Sequence, residues 1–268
     1  MTARAPRRSS ALPGAVLAGV LAGVLALAGC ASAPPRETVP ADVLAARALV
    51  DERWQRFADL RTLAGITIRR GSRQDRLTGA LLLQGPKRGA PALRFEALSP
   101  FGPPILIVAG APDGVTVWEV ARNRAFLLPA SADANRRWLG LALGVDDLVA
   151  LLAGHVRTFA DPLGGRRLEP DAHGPSIELR GPDGTQRLWL DEATGRVNRL
   201  EWAQGKTPFR ATFEWPAKEG PPASIELVTL DGSLEVRVRY QRPQMDSGFD
   251  AALLTLSVPK GVEIQDFR

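Results

Sequence analysis

Cysteine is nearly absent from this chain: one in 268 residues, Cys30. Without a second thiol no internal disulfide can brace the fold, so burial has to do it. Histidine is almost as scarce, at two. His155 follows Gly154 at a helix stop, and His173 lies in the turn Asp171-Ala-His-Gly174. Neither has the spacing of a Ser/His/Asp triad or a metal-ligand set, and capping or surface roles account for both. Asp146-Asp147 is the one tempting carboxylate pair, and helix N-capping explains it. Gly164-Gly165 reads as a turn, not a phosphate cradle. The chain is therefore expected not to be an enzyme and to need no cofactor or metal. A basic stripe is missing too. Lys and Arg total 34 against 29 Asp and Glu, for a net charge of +5. The two signs interleave, and no nucleic-acid partner is expected despite a pI of about 10.1.

Three of those arginines, Arg4, Arg7 and Arg8, stand ahead of an apolar run from Ala11 to Ala28 that ends in Leu27-Ala28-Gly29-Cys30. The segment resembles a bacterial lipoprotein signal with its lipobox. Residues 1–29 would be removed and Cys30 acylated, with a diacylglyceryl group and a further chain such as palmitate. The other readings are an ordinary signal peptide or a transmembrane anchor with a chance cysteine. Residues 30–40 are polar and proline-bearing, a lipidated tether. Ala31 is not the aspartate that retains enterobacterial lipoproteins in the inner membrane. That favours the outer membrane of a Gram-negative cell, on its periplasmic face.

The folded part, 41–268, opens with a helical pattern. Val43, Ala46, Val50, Trp54 and Phe57 build one apolar stripe, with Asp42 placed to cap the first turn. Core packing and a lid over a cavity would need the same stripe. About six strands follow in a meander: 63–70, 76–84, 92–98, 105–109, 115–120 and 125–128. In the hairpin 92–109, Leu93, Phe95 and Ala97 alternate with Arg94 and Glu96, whereas Ile105 to Ala109 is apolar throughout, as in a strand covered on both faces. Between them, Ser99-Pro-Phe-Gly-Pro-Pro104 carries three prolines that deny ladder donors, so a stiff loop should project past the sheet with Phe101 near its tip. Phe101 could stand in water or fold back over the rim.

Ser131 can cap a short helix through Leu139, and Asp146-Asp147 a second, Leu148 to Ala153, with Leu148, Leu151 and Leu152 as its apolar face. Strands resume after Gly165 at 177–180, 186–191, 196–203, 209–215, 224–230 and 234–241, and the tail from Phe249 adds an apolar segment and an edge piece. Roughly a dozen strands with one buried face predict a single strongly curved antiparallel sheet, an incomplete, half-open β-barrel with helices covering the open side. The phase-matched set Phe95, Ile105, Ile107, Val117, Leu200, Trp202, Phe213, Val236 and Val238 is the expected lining.

The order of these features resembles the LolA/LolB superfamily of periplasmic lipoprotein carriers and outer-membrane lipoprotein receptors, with the LolB side nearer. The likeness rests on Cys30 in its lipobox, on Leu93-Arg-Phe-Glu-Ala-Leu-Ser-Pro-Phe-Gly102, on Asp113-Gly-Val-Thr-Val117, on the helical insert and on Val258-Pro-Lys-Gly-Val262. It implies an apolar barrel that holds acyl chains of lipoproteins or envelope lipids, and a periplasmic carrier protein as partner. It also implies a membrane-insertion loop at Pro100, Phe101 and Gly102, where LolB-type receptors place a leucine. Two departures stand out: the second helix has Leu151-Leu152 where LolB members commonly have a tryptophan, and the second strand block is longer. The alternatives are a structural or assembly lipoprotein whose barrel core is filled, acting through protein partners, and a carrier of glycolipid.

Overall fold

Apolar residues recurring every three or four positions give helix α1, Ala41–Arg56, which buries Val43, Ala46, Val50 and Trp54. Asp42 stands in its first turn, where the backbone N–H groups of Val43 and Asp42 help lower its pKa, but it is not the N-cap residue. Pro40 is the N-cap, its fixed φ suiting a helix entry, and Asp42 also accepts from Arg167 Nε at 2.8 Å, the largest cause of its lowered carboxyl pKa. The computed structural model describes residues 38–203, 207–216 and 220–268. The leader, Cys30 and the tether as far as residue 37 lie outside them.

Fourteen strands follow: β1 (Asp59–Arg70), β2 (Arg73–Gln84), β3 (Ala92–Leu98), β4 (Pro104–Ala111), β5 (Gly114–Glu119) and β6 (Arg124–Leu128) before the helical insert. The insert is α2 (Ala132–Leu139) and α3 (Val145–Leu152). After it come β7 (Gly164–Asp171), β8 (Gly174–Gly181), β9 (Gly184–Asp191), β10 (Arg196–Ala203), β11 (Phe209–Glu214), β12 (Ser224–Thr229), β13 (Glu235–Met245) and β14 (Glu263–Asp266). All join one sheet in the order β14-β6-β5-β4-β3-β2-β1-β13-β12-β11-β10-β9-β8-β7. The two meanders meet where long β1 pairs with long β13, Ile66 opposite Val238. Among the described residues every pairing is antiparallel except β14 on β6, and the sheet does not close on itself. Register breaks at Arg61/Leu63, Ala97/Leu98 and Val197/Arg199 supply bends of the kind that curl a sheet.

The inner face is continuous across both meanders. Leu81, Phe95, Val108, Val117 and Phe126 form one cross-strand row, and Leu188, Leu200, Ala211, Leu227 and Val236 form another. Directly paired residues share a face, so these rows point into the curve. Two buried clusters fill it, one under the second meander with the start of α1, one under the first with Trp54 and Phe57; Leu148, Val236 and Tyr240 pack against both.

Alternating strand direction sorts the connections. Those at 71–72, 99–103, 120–123 and 230–234 gather at one end, the upper rim. The α1–β1 junction and the segments 85–91, 112–113 and 246–248 gather at the lower rim.

Candidate functional site

Helices α2 and α3 lie over the concavity because their ends are well specified. Ser131 caps α2, its Oγ accepting from Ala134 N at 3.3 Å, and Gly140 ends it at φ 82°. Buried Asn135 donates from Nδ2 to Leu143 O at 2.7 Å, tying α2 to the segment that leads into α3. Asp147, third residue of α3, accepts from Gly144 N at 3.3 Å and from Arg157 Nη1 at 2.9 Å; Asp146 lies 3.6 Å from the same guanidinium. The two carboxylates thus serve the helix start and one arginine. Burial raises the pKa of Asp147 while Arg157 opposes the rise. At the other end of α3, Tyr240 Oη donates to Leu152 O at 2.6 Å, and burial pushes its phenol upward.

Beneath the helices a cavity of about 180 Å³ remains. Ile66 and Ile68 of β1, Leu148, Leu151 and Leu152 of α3, Ile225 and Leu227 of β12, and Val236 and Val238 of β13 line it. Arg70 is its one charged neighbour, and the exposed members Arg70 and Leu139 mark its mouth at the upper rim. Among the described residues one hydrogen bond spans that mouth, Arg70 Nη2 donating to Leu139 O at 3.2 Å. A space of this size falls below the roughly 300–1,000 Å³ of ordinary ligand pockets, so a long chain needs α3 to shift.

Of the nine expected lining residues, Val236 and Val238 border this cavity. Phe95, Leu200 and Phe213 face inward but are packed into the buried clusters. Trp202 is wedged edge-on against Phe159 at 5.6 Å and beside Phe209 at 5.9 Å. Val117 shares the inner row with Phe95 and Phe126. Ile105 and Ile107 are out of phase with the rest. Ile107 sits opposite Glu96 and Trp118, on the outer face, whereas Phe95 sits opposite Val108. The register break beside Ala97 and the proline loop erase the phase count between β3 and β4. On that outer face Ala109 and Thr116 share a groove with Leu254, Thr255 and Leu256 of the tail, which explains why β4 is apolar on both sides.

The loop at Pro100, Phe101 and Gly102 is tied by Ser99 N to Pro103 O at 2.8 Å and Gly102 N to Ser99 O at 3.0 Å. Phe101 stands 94% exposed at its tip and does not fold over the rim. Leu148, Leu151 and Leu152 were legible as a helix face, but their place in the cavity was not. Arg70 and Leu139 gave no local signal, since each borders the mouth through elements far apart in sequence.

His155 is buried between Trp54 and Phe57, with ring centroids 6.0 and 5.2 Å away, and its Nε2 has no hydrogen-bond partner. Burial, with help from Arg53, lowers its pKa to about 3, so it packs as a neutral ring. His173 takes Arg199 Nη1 at 2.8 Å on the outer face. Among the described residues no cluster of His, Cys, Asp or Glu could hold a metal ion, and no helix is long and apolar enough to cross a membrane.

No family profile and no curated protein sequence matches the chain. Solved structures do. An outer membrane lipoprotein-sorting protein domain from Vibrio parahaemolyticus is similar with a TM-score of 0.59 and 12% identity, over 79% of this chain and 95% of that one. A LolA superfamily protein from Nitrosomonas europaea gives 0.51 and 13%, over 80% and 97%. The fold is that of the LolA superfamily. A DUF1329 family protein from Desulfovibrio piger shares it, at 0.56 and 12% over 81% and 98%. Identities this low carry the LolA-type architecture, a curved open sheet under helices, and leave the question of cargo to the cavity and its rim.

Proposed function

We propose that this chain is a lipid-anchored envelope protein that takes acyl chains of lipoproteins or other envelope lipids beneath α2 and α3 and helps pass them to the membrane. The observation that carries this reading is the apolar cavity, whose cover is tied at the upper rim, among the described residues, by the Arg70–Leu139 hydrogen bond. Acylated Cys30 would hold the domain at the periplasmic face of the outer membrane, and a periplasmic carrier protein would supply cargo, as in LolB-type receptors. Transfer needs a shift between closed and open states of the helix cover and no bond chemistry. Phe101 would enter the acyl boundary, where burying such a side chain contributes about 1.5–3 kcal/mol.

A second reading, an assembly scaffold working through protein partners, draws on the close packing of Phe95, Leu200, Trp202 and Phe213 and on the small volume beneath the helices. Native mass spectrometry of the Cys30→Ala protein recovered from membranes separates the two. Copurified lipid or lipoprotein supports the carrier; a clean apo mass under gentle conditions leaves the scaffold.

A further inference from the structure

Large exposed apolar side chains collect at one end of this sheet in particular. Beside Phe101, the upper rim carries Ile105 at the start of β4, Leu139 at the end of α2 and Leu230 in the β12–β13 turn, at 41%, 42% and 44% exposure. At the lower end two such side chains are exposed, Leu253 in the segment between β13 and β14 and Phe267 just past β14, both at 50%. Separate segments still bring four of them, Phe101 the most exposed of all, to the upper edge, and water disfavours such a cluster unless something covers it.

Direct contacts join three of the pieces. Arg70, last residue of β1, reaches the Leu139 carbonyl, and Gly140 backs onto Leu234, where an added Cβ would come within 3.3 Å of the leucine. The end of α2 therefore sits between the β1–β2 and β12–β13 turns, directly at the cavity mouth. Charge follows the same edge. The last turn of α2 holds Arg136 and Arg137, both exposed; Arg136 has only Asp133 at 4.0 Å, and Arg137 has no ion pair among the described residues. Most of the nearby acids are paired. Glu235 pairs with Arg69, Asp75 with Arg73 and Glu119 with Arg122 and Arg124, while Asp231 accepts from the Ser233 backbone and hydroxyl and keeps its negative charge. Apolar tips flanked by Arg70, Arg136 and Arg137, the last with no ion pair among the described residues, match an anionic bilayer surface, hydrocarbon below and phosphates above.

We propose that the upper rim is a composite docking face for an anionic phospholipid bilayer. Phe101, Leu139 and Leu230 enter the acyl boundary together, Arg70, Arg136 and Arg137 meet headgroup phosphates, and the cavity mouth faces the membrane. The proposal rests on the carrier reading above but assigns it a surface wider than the proline loop.

The test uses the full lipidated chain reconstituted in vesicles. Cys30 is the only native cysteine; once it is acylated, a cysteine introduced elsewhere takes a single environment-sensitive fluorophore. Labels are placed through Phe101→Cys, Leu139→Cys, Leu230→Cys and, at the lower rim, Asp113→Cys. In vesicles containing phosphatidylglycerol the first three should shift to the blue and be quenched by spin-labelled acyl chains, while the label at 113 stays in water. Charge reversal by Arg136→Glu with Arg137→Glu should reduce quenching at 139 and 230 about tenfold and abolish the preference over phosphatidylcholine. Quenching at 101 alone, or at none of the positions, overturns the composite face. So does shielding of all three only by an added carrier protein, which would make the rim a protein-docking surface. Lipid copurification is read independently, so loss of the docking face and loss of the carrier reading remain distinguishable.

Discussion

The two rims of the sheet are built from opposite materials. At the lower rim, Asp59 is almost wholly buried and accepts from Arg88 Nη1 at 3.0 Å and Gly248 N at 3.2 Å. Asp246 returns the link, accepting from Ala58 N at 3.1 Å and donating its own N–H to Asp59 O at 2.9 Å. Arg88 also reaches Phe249 O at 2.6 Å, and the neutral ring of His155 is seated between Trp54 and Phe57. At the upper rim, apolar tips face water and, among the described residues, one exposed hydrogen bond links α2 to the sheet. Buried polar networks are costly to break, whereas exposed hydrogen bonds are nearly exchangeable with water. The helix cover should therefore pivot about its Tyr240–Leu152 end and open at Arg70–Leu139, the end nearest the proposed membrane.

Acid is the strongest way to break this contrast. The folded His155 takes a proton only near pH 3, the unfolded one near 6.5. Between those values the unfolded chain binds more protons, so stability is lost as pH falls through the window, by about 1.4 kcal/mol per unit. Urea titrations between pH 6.5 and 4.5 should show that slope, and His155→Phe should lack its share of it; an identical slope in the variant would remove His155 as the cause. Next in size, Asp59→Ala strips Arg88 and Gly248 of their acceptor and should cost about 2–4 kcal/mol at pH 7. Equilibrium denaturation checks it, and a loss below 0.5 kcal/mol would mean that the lower rim is not the anchored end.

Smaller effects belong at the other rim. Arg70→Ala should cost about 0.5–1 kcal/mol, yet speed amide exchange in residues 139–144 and increase uptake of a fatty-acid photoprobe. Unchanged exchange would show that the contact does not hold the cover. Least of all, Phe101→Glu should move stability by no more than about 0.5 kcal/mol, because nothing packs on the ring, while lowering delivery of acylated cargo to vesicles. Full delivery by that variant would take the loop out of the mechanism.

Local chemistry was readable in advance wherever it was self-contained. The stripe of α1, the Ser131 cap and the stiff Pro-Phe-Gly loop follow from side chains acting on neighbours a few residues away, and the curved sheet follows from the repetition of short alternating strands. Edge strands were harder. β7 is Gly-Gly-Arg-Arg-Leu-Glu-Pro-Asp, with no apolar alternation, because its exposed edge is better protected by charge than by a buried face. The parallel seating of β14 on β6, the outward turn of Ile105 and Ile107, and the meeting of Arg70 with Leu139 at a cavity mouth were decided by the tertiary fold. Each depends on which distant strands pair and in what register. A single-residue shift reverses a strand's faces, and no pattern within one segment can encode a contact whose other half is more than sixty residues away.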